Sequence, residues 1–303
     1  MFDNNAPQTF VKEVFNSESK TVTTSTQQFD AKKVNVYGHI IALIFAFQTT
    51  ITKGSGTINT SKTVLDAFGQ ITIRDKNSRP ILDDDSSRFP IIRKILSFAS
   101  QPSWADHKRG EYDAGTALTD TGSAQTHEME IPIDINLRDQ PISVEYVVDT
   151  LSDLLSTVGT ATATAQLQIA SINIVPIGRN AQYAQRETRR LYSYVHTSAI
   201  SSETELQNGL PTGVVIDNVA CYVTTDSNVT DYTLKPTGKS IGIDRLARKY
   251  IEQMENRNAF DGHTSGYHVL NHAPFKVGDS TLFSINPASS FTPRIFLTHR
   301  GVR

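Results

Sequence analysis

The chain is poor in the residues from which many functional sites are built. It has one cysteine, Cys221, in 303 residues, which excludes an internal disulfide framework and any zinc site made of cysteines. One tryptophan, Trp104, is too few for a sugar cleft lined by several stacking rings. Neither sign of charge prevails: 29 Lys+Arg against 31 Asp+Glu leave a net −2, without the electrostatic footprint of a nucleic-acid binder. The longest apolar run, Ile40 to Phe47, is 8 residues, far below the ~20 that a membrane helix needs. No basic segment followed by an apolar one opens MFDNNAPQTF, so no secretory signal is expected. The phosphate-cradling Gly-x-Gly-x-x-Gly and Walker patterns are also missing.

What the chain does have is β-branched. Val (20), Ile (26) and Thr (34) make up 80 of the 303 residues, and Ser adds 27, while Leu stops at 18. Such side chains suit a pleated, half-buried surface and crowd a helix at χ1. Residues 127–138, HEMEIPIDINLR, alternate strictly: Met129, Ile131, Ile133, Ile135 and Leu137 fall on one face, with Glu128, Glu130, Asp134, Asn136 and Arg138 on the other. Pro132 has no amide to donate, so this strand belongs at a sheet edge or carries a bulge. Segments 21–29, 69–74, 165–177, 213–224, 280–285 and 291–298 read the same way, and 40–52 reads as a long strand buried on both faces at first.

Two helices are expected. Residues 88–99 place Ile91, Ile92, Ile95, Leu96 and Ala99 at helical spacing, behind Ser86 or Ser87 as cap and Asp83–Asp85 near the positive end of the dipole. Residues 245–256 put Leu246, Ala247, Tyr250, Ile251 and Met254 on one stripe behind Asp244. Weaker helical patterns cover 9–15, with Phe10, Val11, Val14 and Phe15, and 180–191. The two stronger helices are centred 156 residues apart, near Lys94 and Tyr250, and each follows a short alternating strand and a turn-rich loop. That is a repeat of arrangement without sequence identity. Many strands, long polar loops and few two-residue hairpins suit Greek-key packing. The expected fold is therefore all-β: two tandem eight-stranded jelly rolls with a few short helices. The competing reading is one irregular all-β domain with two unrelated helices. The expected division is an arm with a short helix at 1–20, a first jelly roll at 21–178, a linker at 179–190 and a second jelly roll at 191–303.

Candidate chemistry is sparse. Glu128 and Glu130 could pair as glycosidase carboxylates, but a solvated strand face explains them, as the helix start explains Asp83, Asp84 and Asp85. His263, His268 and His272 have no helix or hairpin predicted to gather them on a zinc ion. Ser17 and Lys20 match a Ser-x-x-Lys pattern that random sequence often supplies. Two basic stretches, Arg179, Arg186, Arg189 and Arg190 beside Glu187, and Arg294, His299, Arg300 and Arg303, could meet phosphate; the preferred reading is a solvated linker helix and a surface tail that pair with Asp/Glu on adjacent copies. The expectation is no catalytic residue, no cofactor and no metal.

The layout resembles the double jelly-roll major capsid proteins of tailless icosahedral viruses, many of which enclose a membrane. The likeness is greatest to small bacteriophage members such as that of the Flavobacterium-infecting lipid-containing phage. It rests on the two half-chain β units, the strand–loop–helix segments 71–99 and 231–256, the short N-terminal helix expected at 9–15 and the scarcity of cysteine. The resemblance implies a non-enzymatic virion protein that forms trimeric, pseudo-hexagonal capsomers in the host cytoplasm. It also implies an N-terminal arm on the inner side, near a lipid membrane, and neighbours that include minor capsid or penton proteins but no sequence-specific nucleic acid. The alternatives are a lectin-like or receptor-binding spike protein and a β-sandwich glycoside hydrolase.

Overall fold

A computed structural model describes residues 9–16, 19–99, 112–120, 122–176, 187–206, 210–236, 243–258, 261–270, 274–278 and 280–301. The chain divides into two compact units. One comprises Met1–Ile92 with Asp113–Thr188, the other Arg93–Tyr112 with Arg189–Arg303.

In the first unit, the β-branched alternating segments pair into two antiparallel sheets. Strands β1 (Thr9–Asn16), β4 (Gly38–Thr52), β8 (Ala124–Ile135) and β11 (Thr162–Pro176) form one in the order β1-β11-β4-β8, and short β2 (Lys20–Val22) also pairs with β11. Strands β3 (Gln27–Val34), β6 (Phe68–Arg74), β7 (Pro80–Asp85) and β9 (Ile142–Val148) form the other, in the order β3-β9-β6-β7. A small ribbon joins β5 (Thr57–Ile58) to β10 (Leu155–Thr157), just after the single-turn helix α2 (Leu151–Leu154); helix α1 (Phe89–Ala99) follows β7. Strand β4 lies between β11 and β8, and its first half is buried on both faces. Pro132 sits in β8, at the sheet's edge, beside the register shift between Ile40 and Ala42 of β4. The core between the sheets holds Phe45, Phe47, Phe68, Phe89 and Tyr146, with ring centroids 5.4–6.3 Å apart from neighbour to neighbour.

The second unit repeats the plan. Strands β12 (Arg189–Val195), β14 (Val215–Tyr222), β17 (Tyr267–Leu270) and β20 (Arg294–Arg300) form a sheet in the order β12-β20-β14-β17, with β18 (Phe275–Lys276) also on β14. Strands β13 (Thr204–Glu205), β15 (Val229–Lys235), β16 (Ile243–Ala247) and β19 (Leu282–Pro287) form the second, in the order β13-β19-β15-β16. Helix α3 (Arg248–Asn258) follows β16. Taking each unit's eight main strands in chain order, both read first-eighth-third-sixth in one sheet and second-seventh-fourth-fifth in the other. That is jelly-roll topology twice over, and in each set of eight strands a long helix falls between the fifth and sixth in chain order, although α1 belongs to the second unit from Arg93 onward.

Three expectations are corrected. Residues 9–15 are strand β1, paired to β11, not a helix in an N-terminal arm; the register shifts between Lys12 and Phe15, and that break in period two imitates helical spacing. The 180–191 helix does not extend to its end, because Arg189–Leu191 begin β12; residues 180–186 lie outside the described set. The helix expected at 245–256 starts three residues late. Leu246 and Ala247 belong to β16, Tyr250 is 51% exposed, and Ile251 and Glu255 are the residues that α3 buries.

Candidate functional site

The densest group of ionisable side chains lies within the second unit. Asp226 opens the turn before β15, Glu252 and Glu255 stand on α3, His263 lies in the segment after it, and His268 is in β17. Asp226 is held from behind: the Gly266 amide donates to its Oδ1 at 2.7 Å and the Ser265 hydroxyl to its Oδ2 at 3.1 Å. Gly266 has a φ of +81°, and a Cβ there would lie 3.1 Å from the Thr224 carbonyl oxygen, so glycine suits this turn on both counts. His263 Nδ1 donates to Glu255 Oε2 at 2.9 Å, and Glu255 Oε1 accepts the Val269 amide at 2.6 Å. His268 Nδ1 is 2.6 Å from the Tyr232 hydroxyl, with both residues fully buried.

The far nitrogens of the two imidazoles then converge. His263 Nε2 is 3.1 Å and His268 Nε2 3.3 Å from the same oxygen, Asp226 Oδ1, and Glu252 Oε1 is 3.9 Å from His268 Nε2. The rings lie face to face, 5.5 Å between centroids. Neither Nε2 makes a hydrogen bond, although both are buried. The electrostatics separate the two rings. Burial pulls His268 down to about 4, so it is neutral near pH 7. Burial would also lower His263, but the Glu255 hydrogen bond and the charges of Glu255 and Asp226 outweigh it and raise its pKa. For Asp226 burial raises the pKa, and the Gly266 amide and His263 more than offset it, so the net shift is downward. Lys94 completes the surround. It donates to the Gly262 carbonyl at 2.8 Å and the Thr264 hydroxyl at 2.6 Å, with Glu255 Oε2 at 3.5 Å, and burial lowers its pKa despite that carboxylate.

No family model matches the sequence, and no curated protein matches it. Solved structures do. The crystal structure of the STIV MCP aligns at a TM-score of 0.63 and 9% identity, over 97% of this chain and 96% of that one. The atomic structure of Sulfolobus Turreted Icosahedral Virus contains a chain aligning at 0.63 and 10% identity, over 97% and 90%. At 97% coverage the alignment runs through both units. This chain is a double jelly roll.

Within the double jelly roll, the predicted carboxylates scatter. Glu128 is exposed and Glu130 half-buried on β8, while Asp134 is buried and lies 3.3 Å from His39 Nε2. Asp83, Asp84 and Asp85 end β7 just ahead of the helix, where Asp85 takes the capping place expected of Ser86 or Ser87, and they diverge. Asp83 accepts from Gln70 and Thr72, Asp84 from Arg88, and Asp85 caps the turn at Ser87. His263 and His268 do meet, against the expectation that nothing would gather them. Their partners are acidic residues from a turn and a helix, and His272 lies outside the described residues. The convergence was hidden because Asp226 is 42 positions from His268 in sequence; the i, i+3 pair Glu252–Glu255 on a helix just upstream of two histidines was the one local signal.

The two basic stretches join instead of facing outward. Arg189 and Arg300 sit opposite each other on β12 and β20, and both reach Asp217 Oδ2, at 3.3 and 2.8 Å. Arg190 and His299 are buried beside them in the same sheet. Arg179, Arg186, Arg303, Ser17 and Trp104 lie outside the described residues. So does Gly238-Lys239-Ser240-Ile241-Gly242, which has Gly-x-Ser-x-Gly spacing.

Proposed function

We propose that this chain is the major capsid protein of an icosahedral virus and that it works by self-assembly, without catalysis. The observation that carries the reading is the duplicated strand order of this chain, together with a fold that aligns over nearly the full length of the STIV MCP. The side chains fit it: most ionisable groups in the described residues are tied to partners in their own unit. A net charge of −2 lets many copies pack without strong mutual repulsion. In this reading three copies supply six jelly rolls to a pseudo-hexagonal capsomer, assembled in the host cytoplasm and placed in the virion shell. Capsomer neighbours, minor capsid or penton proteins and an underlying lipid membrane are the partners.

Multi-angle light scattering of the purified chain tests the core of this. The expected mass is that of a trimer or a larger multiple of 33.4 kDa, with hexagonal outlines in negative stain. A strict monomer at high concentration, with no capsomers in the image, refutes it. Co-flotation with anionic lipid vesicles tests the membrane contact separately.

A further inference from the structure

We propose that Asp226, Glu252, His263 and His268 form a structural metal site that takes Zn²⁺. This goes beyond the shell reading and does not depend on it. One ligand atom from each residue lies within 4.8 Å of the other three. The spacing suits the ion: tetrahedral Zn²⁺ with bonds of about 2.0–2.1 Å separates its ligands by about 3.3 Å. The two Asp226–histidine distances are 3.1 and 3.3 Å, and Glu252 needs only a small approach from 3.9 Å.

The unsatisfied atoms point the same way. His268 is 0% exposed, its Nε2 has no hydrogen bond, and it is directed at two carboxylates. His263 Nε2 is in the same condition. Buried polar atoms are rarely left so, and a cation bonded to both nitrogens and to Asp226 and Glu252 would satisfy them together. The outer partners are those a zinc histidine needs. Glu255 accepts from His263 Nδ1, the Tyr232 oxygen stands at His268 Nδ1, and each leaves the Nε2 lone pair for the metal. Two imidazoles with two carboxylates select a borderline ion over Ca²⁺ or Mg²⁺, which prefer all-oxygen shells. The ligands come from a turn, a helix, a loop and a strand, so the ion would tie α3 and the following segment to the sheet.

The test uses the full chain, stripped with EDTA, dialysed and titrated with ZnCl₂ by calorimetry. The expected result is one Zn²⁺ per chain, a Tm that rises with Zn²⁺ but not with equimolar Ca²⁺ or Mg²⁺, and visible d–d bands when Co²⁺ replaces it. Glu252→Gln, at a partly exposed position, and His263→Gln should each weaken binding about 10-fold or more. Asp244→Asn, an exposed carboxylate paired with Lys235, should leave binding unchanged. Failure of the stripped wild-type chain to bind Zn²⁺ overturns the site, as does unchanged affinity in both Glu252→Gln and His263→Gln.

Discussion

Replacing Asp217 probes the ion cluster that links the ends of the second unit's sheet. Arg189 and Arg300 are cross-strand neighbours, and like charges directly opposite repel. Asp217 resolves this from the next strand, where the β14–β20 register shifts between Ile216 and Asn218 and re-aims the intervening side chain. The Asp217 and Arg189 side chains are 3% and 1% exposed, and that of Arg300 is 32% exposed. Removing the anion takes the Asp217 partner from a buried guanidinium, a class of change that costs about 3–5 kcal/mol. Asp217→Asn should therefore be severe. Arg189→Met should cost less, because Asp217 keeps Arg300 at 2.8 Å. Arg300→Gln, at a partly exposed pair, should cost about 1 kcal/mol or less. The double variant Arg189→Met, Asp217→Leu should recover much of the loss, since an apolar replacement of a buried pair is often near neutral. Urea unfolding followed by circular dichroism, at one fixed protein concentration, reads the series. With a slope of about 2 kcal/mol per M, Asp217→Asn moves the midpoint by roughly 1.5 M or more. Equal shifts for Asp217→Asn and Arg300→Gln, or a shift for Asp217→Asn worth under about 1 kcal/mol, would refute the reasoning.

Three further outcomes follow from the same coordinates. Phe47 is fully buried against Phe45, Phe68 and Phe89, so Phe47→Ala should lower stability by about 3–5 kcal/mol, with Phe47→Leu milder; a loss below about 1 kcal/mol in urea would contradict the packing. Burial, then the charges of Asp153 and Asp85, lifts the Asp149 carboxyl from 3.8 to about 6. Its contribution is thus fully favourable below pH 3.8 and is lost as pH rises through about 6. Asp149→Asn should then stabilise at pH 7.5 by about 1 kcal/mol, after discounting for solvent screening, and change nothing near pH 3.5; equal effects at both pH values would count against it. Cys221 is fully buried, and burial pushes its thiol far up, so Ellman's reagent should not react with the folded chain at pH 8 and should titrate one thiol in denaturant; rapid reaction in the native state would show the strand is open.

The fold was legible where alternation was clean. In β8 the alternating Met129, Ile131, Ile133 and Ile135 are all buried, with Pro132 and Asp134 buried among them; β9, with Ile142, Val144, Tyr146 and Val148 buried, alternates more cleanly still and yet is absent from the expected strands. Legibility failed where a strand's own chemistry disguised it. The acidic run Asp83–Asp85 reads as a helix start although it ends β7, since a strand may spend its last residues on hydrogen bonds to neighbours instead of on core packing. Strand β16, IDRLA, is too short to show a period, and so α3 seemed to begin early. The polar cluster was the least legible feature. Histidine spacing alone says nothing about convergence, because the deciding carboxylates come from a turn and a helix that only the antiparallel pairing of β14 with β17 brings near.

The repeated strand order has a consequence for how each half is held. The helix after the fifth strand fills the same topological position twice, with a different balance of chemistry. Helix α1 buries Ile91, Ile92, Ile95 and Leu96 together with one charge, Lys94. Burial of such apolar side chains stabilises by roughly 1.5–3 kcal/mol each and tolerates changes of pH. Helix α3, RKYIEQMENRN, buries Ile251 and Glu255, and Glu255 is held by the Val269 amide, His263 and Lys94. A buried carboxylate is stable only while its partners are in place and correctly charged. The second insertion is therefore anchored by a network that either holds together or fails together. Topology alone explains why the two halves share a fold at negligible sequence identity: antiparallel pairing needs only alternation and turns, and leaves the contents of this helical insertion free to diverge.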